Sequence, residues 1–272
     1  MTGGVLVYDS VTRMDPAVRG RAVIAASHGG VYAVHLALSE GVGGLVVSDG
    51  GVGLERAGIG GLEFAQALGV PCAAIDHRSA RIGDGADCAE RGVIAFANAQ
   101  AQRLGVRAGM PALQAAQCLA AAPLRAVDPG PLPAEARTVL PPQAGRRPIV
   151  LIDSVSLAAP EDRGAVVLTG SHGGLQGGRP ESAIKVDVFA ALYNDAGIGC
   201  DGAGVSRLPA LDARGIAGAT VAAGSARIGD ARSAWETGVI SRVNQTARAL
   251  GAREGQSARA WAEGMAAAAG RP

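Results

Sequence analysis

Aromatic residues are scarce in this chain of 272 residues: three Phe, three Tyr and two Trp. A surface that stacks nucleobases needs several such rings, so recognition of nucleic acid by stacking is not expected. Net charge is lacking too. Twenty-five basic side chains meet 24 acidic ones, for a formal charge of +1. A chain this balanced has no electrostatic footprint for a phosphate backbone or an anionic bilayer, and we expect neither nucleic acid nor membrane as a partner. No apolar run reaches the ~18 residues a membrane span requires. Met1-Thr2-Gly3-Gly4 has no basic stretch ahead of an apolar core, so no signal peptide is expected. The four cysteines, Cys72, Cys88, Cys118 and Cys200, form no C-x-x-C pair and fit no zinc spacing. Three fall in one half and one in the other, which excludes a matching disulfide in each half. Reduced, mostly buried thiols in a cytoplasmic protein are the expectation. Lysine is almost missing: Lys185 is the only one.

What is present is repetition. Ser79-Ala80-Arg81-Ile82-Gly83-Asp84 returns unchanged as Ser225-Ala226-Arg227-Ile228-Gly229-Asp230. Residues 5–30 align with 149–174 at an offset of 144, with 11 of 26 positions identical. Residues 49–109 align with 195–255 at an offset of 146, with 25 of 61 identical. Seven of the fourteen prolines lie in 123–148, which therefore reads as a linker. The expected organisation is an α/β repeat over 1–122, a Pro-rich linker over 123–148 and a second α/β repeat over 149–272. The two tandem homologous repeats would be related by a pseudo-twofold axis.

Each repeat opens on a short apolar run, Val5-Leu6-Val7-Tyr8 or Ile149-Val150-Leu151-Ile152, closed by Asp-Ser-Val. Such runs read as buried strands. Second strands are expected over 22–26 and 165–169, third strands over 44–47 and 189–193, and fourth strands over 72–75 and 219–223. Helical spacing covers 31–40 in the first repeat, where the second has a glycine-rich loop and Pro180-Glu181-Ser182 as a helix start. Later helices are expected over 57–69 and 203–215, over 85–104 and 231–250, and over 110–122 and 256–269. Asn98 and Asn244 would lie inside the long helices and bridge the repeats. Strands alternating with helices imply mostly parallel sheet with helices on both faces. One continuous sheet and two lobes both remain open.

In parallel sheets, ligands bind beyond the carboxyl ends of the strands. Three doubled motifs fall there. Ser-His-Gly-Gly (Ser27-His28-Gly29-Gly30 and Ser171-His172-Gly173-Gly174) offers an imidazole for acid–base work and glycine N–H groups for a developing oxyanion. Its serine is a nucleophile or, more in keeping with its type, a helix N-cap. Asp-x-Gly-x-Gly (Asp49 with Gly51 and Gly53, Asp195 with Gly197 and Gly199) offers a carboxylate to hold substrate or orient the histidine. It lacks the continuation of a dinucleotide fingerprint, and no cofactor is expected. Ser79, Arg81, Ser225 and Arg227 of the repeated hexapeptide suit either a clamp to a carboxylate across the repeats or a site for a substrate carboxylate. Asp84 and Asp230 suit helix capping. Lys185 and Arg179 sit in the region that differs between repeats and could serve as base or anion contact. A metal site from His28, His35, His77 and Asp49 is conceivable, but His28 and His35 are two helical turns apart, and no metal is expected.

The sequence therefore suggests a small-molecule enzyme doing cofactor-free acid–base or hydrolytic chemistry, at an amide, imide or other C–N bond. Its substrate would be small, polar and anionic, bound between the repeats. The candidate catalytic residues are His172, Lys185, Asp195, His28 and Asp49. The alternative is a metabolite-binding or regulatory module built from the same loops. A homo-oligomer is expected in either case.

Overall fold

A computed structural model of the chain describes residues 4–268. The first three residues, where a signal peptide was considered, and the end of the last expected helix lie outside the described residues. The first sheet draws on β1 (Val5–Tyr8), β2 (Ala22–His28), β3 (Gly44–Ser48), β4 (Cys72–Ile75) and β5 (Ile94–Ala97). Its helices are α1 (Val31–Ser39), α2 (Gly61–Ala67), α3 (Gly85–Arg91), α4 (Ala99–Arg103) and α5 (Ala112–Ala120). The second sheet draws on β6 (Arg137–Val139), β7 (Ile149–Ile152), β8 (Val166–His172), β9 (Ala190–Asn194), β10 (Ala217–Val221) and β11 (Ile240–Val243). With it go α6 (Arg207–Asp212), α7 (Ala231–Thr237), α8 (Gln245–Ala249) and α9 (Ala258–Ala267).

The strand orders are β1-β2-β3-β4-β5 and β11-β10-β9-β8-β7-β6. Strands β1 to β4 are parallel to one another, as are β7 to β10, and β5 and β11 are each antiparallel to the neighbouring strand. The chain is thus mixed α/β with two mostly parallel sheets, a layout consistent with two repeats. Side chains alternate across each strand. In the first sheet Val23, Leu45 and Val47 pack under α1 and α2. Ile24, Val46 and Ile75 pack on the other face against α3 and α5. The second sheet is covered by α7 and α9 on one face. Its other face meets α6 and the irregular stretch containing Ala183, Ile184 and Val188. A short 3-10 turn at Pro180–Ser182 stands where a helix start was expected.

The two long helices expected over 85–104 and 231–250 are each a helix, a strand and a second short helix. Gly92 and Gly238 end α3 and α7 in extended conformation, and the chain returns as β5 or β11. Asn98 and Asn244 then cap α4 and α8. They do not bridge the halves. The Asn98 side chain accepts from the N–H groups of Cys72 and Ala101 and donates to the carbonyls of Val70 and Leu62. Asn244 makes the same four bonds around Gly218. Val93, Ile94 and Ala97 fit a helical period, but a short buried strand satisfies the same apolar spacing.

The linker carries one strand that its prolines conceal: β6 pairs antiparallel with β7. All four cysteines are free, and burial pushes the Cys72 thiol up to about 12. Among the described residues, no helix is long and apolar enough to cross a membrane.

The halves meet on backbone. Gly50 to Gly53 all have positive φ, as do residues 196–199, Val52 and Ile198 included. These two left-handed loops stack on each other. A Cβ on Gly51 would lie 2.6 Å from the carbonyl carbon of Ala196 and the nitrogen of Gly197. The seam is reciprocal: Gly53 lies against the Ala223 carbonyl and Gly199 against the His77 carbonyl. The Cys200 N–H donates to His77 O at 2.8 Å. A small apolar cluster, Ile82, Ala196, Ala203 and Ile228, joins both halves.

Candidate functional site

A cavity of about 610 Å³ lies between the halves. It is lined by Ser27 and His28 from one and by Ser171 and His172 from the other. The size suits a small metabolite. Each imidazole also reaches across the seam: a Cβ on Gly229 would meet His28 Cε1 at 3.7 Å, and one on Gly83 would meet His172 Cε1 at 3.5 Å. The glycine of the repeated hexapeptide is thus the floor under the opposite histidine.

The Ser-His-Gly-Gly turn fixes the tautomer of both rings. The Gly30 N–H donates to His28 Nδ1 at 3.1 Å, and the Gly174 N–H donates to His172 Nδ1 at 3.1 Å. An imidazole that accepts at Nδ1 carries its neutral-state proton on Nε2. The last glycine is required because a Cβ on Gly30 or Gly174 would press on that ring at 2.8 or 3.0 Å. Burial pushes His28 down to about 4. His172 is held well below the ordinary range by burial first, then by Arg207 and His28. Both rings are neutral near pH 7, and each offers Nε2–H as a donor.

Other parts of these motifs hold the frame. The expected oxyanion donors are already engaged: the Gly29 N–H donates to Ser48 O, the Gly173 N–H to Asn194 O, and the next amide in each turn to its histidine. Ser27 and Ser171 are not helix caps. Gly30 holds the cap position of α1, with no side-chain bond. Ser27 Oγ accepts from the Val11 N–H and Ser171 Oγ from the Val155 N–H, tying strand ends together. Asp49 accepts from the N–H groups of Gly51 and His77, and Asp195 from those of Gly197 and Ala223. Neither carboxylate reaches His28 or His172. Gly197 and Gly199 lie in the seam.

Ser79 and Ser225 accept from the Val93 and Val239 N–H groups, outside the cavity. Asp84 and Asp230 cap α3 and α7. Lys185 is exposed and lines no part of the cavity, and Arg179 faces Asp9 at 3.6 Å. Arg81 pairs across the seam with Asp201 at 2.8 Å, and Arg227 with Glu55 at 2.9 Å. All four side chains are more than two-fifths exposed, so water screens these pairs. We expect the double variant Arg81→Ala/Arg227→Ala to lower the melting temperature by no more than about 3 °C. A drop many times larger in a thermal melt would make the ionic clamp, rather than the glycine seam, the main tie between halves.

The histidines do not converge as a trio. His35 Nε2 lies 3.2 Å from the Gly130 carbonyl of the linker, and its ring stacks on Phe64 at 5.0 Å. His77 Nδ1 bonds Asp49 at 3.0 Å, a contact that raises its pKa. Asp76 stands close enough to complete a cluster. Asp49 already accepts from two backbone N–H groups and Asp76 pairs with Arg78, so the cluster reads as a hydrogen-bonded ion pair.

Two cavity residues escaped sequence reasoning. Glu135 enters from the linker, facing Tyr32 and Ser154, and burial followed by the Asp153 charge raises its pKa. Arg207, 1% exposed, lies beside His172. The signal for Arg207 was available, since the aligned residue in the first half is Gly61. A second groove of similar size runs past Arg56, Phe96 and Arg107, but it contains no histidine. No family model, no curated protein and no solved structure matches this chain.

Proposed function

We propose that this chain is a small-molecule enzyme that works by cofactor-free acid–base chemistry, hydrolytic at an amide-like carbonyl, in the cavity between the halves. The observation that carries this reading is the pair of ε-protonated imidazoles lining one cavity. A neutral Nε2–H is a donor, so the histidines polarise a carbonyl and hold its oxyanion instead of removing a proton. Glu135 is the base: it takes a proton from water as the water attacks, and returns it to the leaving nitrogen. Its raised pKa strengthens it for that task.

The doubled Ser-His set also favours a second reading, a module that binds a metabolite without turning it over. The test is turnover of a panel of small carboxylated amides, imides and lactams, followed by release of the amine or ammonia. His172→Asn keeps an acceptor for the Gly174 N–H and removes the ring donor. It should lower kcat by about 10²–10³ with a nearly unchanged melting temperature. Glu135→Gln should lower kcat by about 10²–10⁴ and remove the acid limb of the pH profile. Binding without turnover by the unaltered chain would favour the second reading. Full activity in His172→Asn would make that ring structural.

A further inference from the structure

Arg207 is a buried cation with no counter-ion among the described residues. It is 1% exposed, and no ion pair among the described residues includes it. Nε donates to the Gly174 carbonyl at 2.9 Å and Nη1 to the Ala183 carbonyl at 2.7 Å. The guanidinium lies over the Tyr193 ring at 4.9 Å. A guanidinium has five N–H donors, so among the described residues three meet no carbonyl, one on Nη1 and two on Nη2. The side chain lines the cavity that holds both histidines.

The first half shows what the position costs. A Cβ on Gly61, the aligned residue, would collide with Val34 of α1. The second half has 3-10 turns at Gln176–Gly178 and Pro180–Ser182 in place of that helix, and Arg207 occupies the freed space. An apolar side chain would fill the volume without the desolvation penalty of an unpaired charge. An anion that meets the remaining N–H groups would offset that penalty.

The lining sets the anion's class. Glu135 and Asp153 share the cavity, so a dianion meets two carboxylates for one cation. A planar monoanion matches the remaining N–H groups and the single positive charge.

We propose that Arg207 anchors the carboxylate of a small monocarboxylic substrate, seating its carbonyl against the histidine Nε2–H groups. The assignment rests on the cavity being the ligand site, as in the reading above, and does not need that reading's chemistry.

The test uses the full chain and sodium propionate, with sodium chloride at equal ionic strength and inorganic phosphate as comparisons. Propionate at about 50 mM should raise the melting temperature by a few degrees over chloride, and phosphate by less. Arg207→Met should lose the propionate shift. Because that variant also removes bonds to two carbonyls, Arg207→Lys is the second arm. It keeps the charge, loses the fork, and should bind propionate at least about tenfold more weakly by calorimetry. No propionate shift in the unaltered chain, an unchanged Kd in Arg207→Lys, or a larger shift with phosphate would each overturn the assignment. The variant His28→Asn/His172→Asn separates the two ideas. A propionate shift that persists there and depends on Arg207 upholds the anchor even where amide turnover is absent.

Discussion

Gly51→Ala is expected to cost at least about 4 kcal/mol, whereas Gly69→Ala, made at the same backbone angle, should cost about 1 kcal/mol. Both glycines have φ +75°. A Cβ on Gly69 meets nothing within 4 Å, so that variant reports the left-handed conformation alone. A Cβ on Gly51 meets backbone of the other half at 2.6 Å. Backbone cannot swing aside as a side chain can. The two loops must separate, and the apolar cluster around Ile82 and Ile228 opens with them. Urea unfolding of both variants checks this. Stabilities within about 1 kcal/mol of each other would mean that the seam yields more easily than its contacts imply.

Acidification should destabilise the fold before the Arg-paired carboxylates titrate. An unfolded imidazole takes its proton near pH 6.5, but folded His28 only near 4. Between those values the unfolded state binds more protons, so stability present above pH 6.5 is lost as pH falls. A shift of this size corresponds to about 3 kcal/mol at full development. His172 adds a loss of the same sign, reinforced by the Arg207 charge beside it. Glu135 runs the other way, because its raised pKa lets the folded chain take that proton before the unfolded one does, and so does His77. Asp49 raises its pKa, so its contribution is complete below pH 6.5 and lost only as pH rises through the folded value. The Arg-paired Asp87 and Asp162 are held below the ordinary carboxylate range and matter only at lower pH. Urea midpoints between pH 7 and 4.5 should fall steeply for the unaltered chain and much less for His28→Gln/His172→Gln. Parallel curves for the two proteins would contradict the buried, neutral imidazoles.

Strand positions were legible because short apolar runs bounded by polar turns have few other uses. The stretches 5–8, 72–75 and 149–152 are strands as expected. The facing histidines were legible from doubled motifs at the strand ends. The doubling of motifs could not by itself say which of them touches solvent and which touches the other half. Asp-x-Gly-x-Gly looks like a ligand cradle, yet its glycines let two backbones meet. The hexapeptide suits a clamp and a substrate arginine equally well, and Arg81 and Arg227 face carboxylates across the seam. Arg207 and Glu135 were hidden for the opposite reason. Arg207 stands opposite a glycine and Glu135 lies outside the aligned stretches, and reasoning from shared positions passes over what one half alone supplies.

The strand at Arg137–Val139 bears on where the polypeptide can be cut. A fragment beginning at residue 149 would bare the hydrogen-bonding edge of β7, an invitation to aggregate in solution. It would also discard Glu135. Dissection into independently expressed pieces therefore belongs upstream of Glu135, with the tether travelling as part of the second piece.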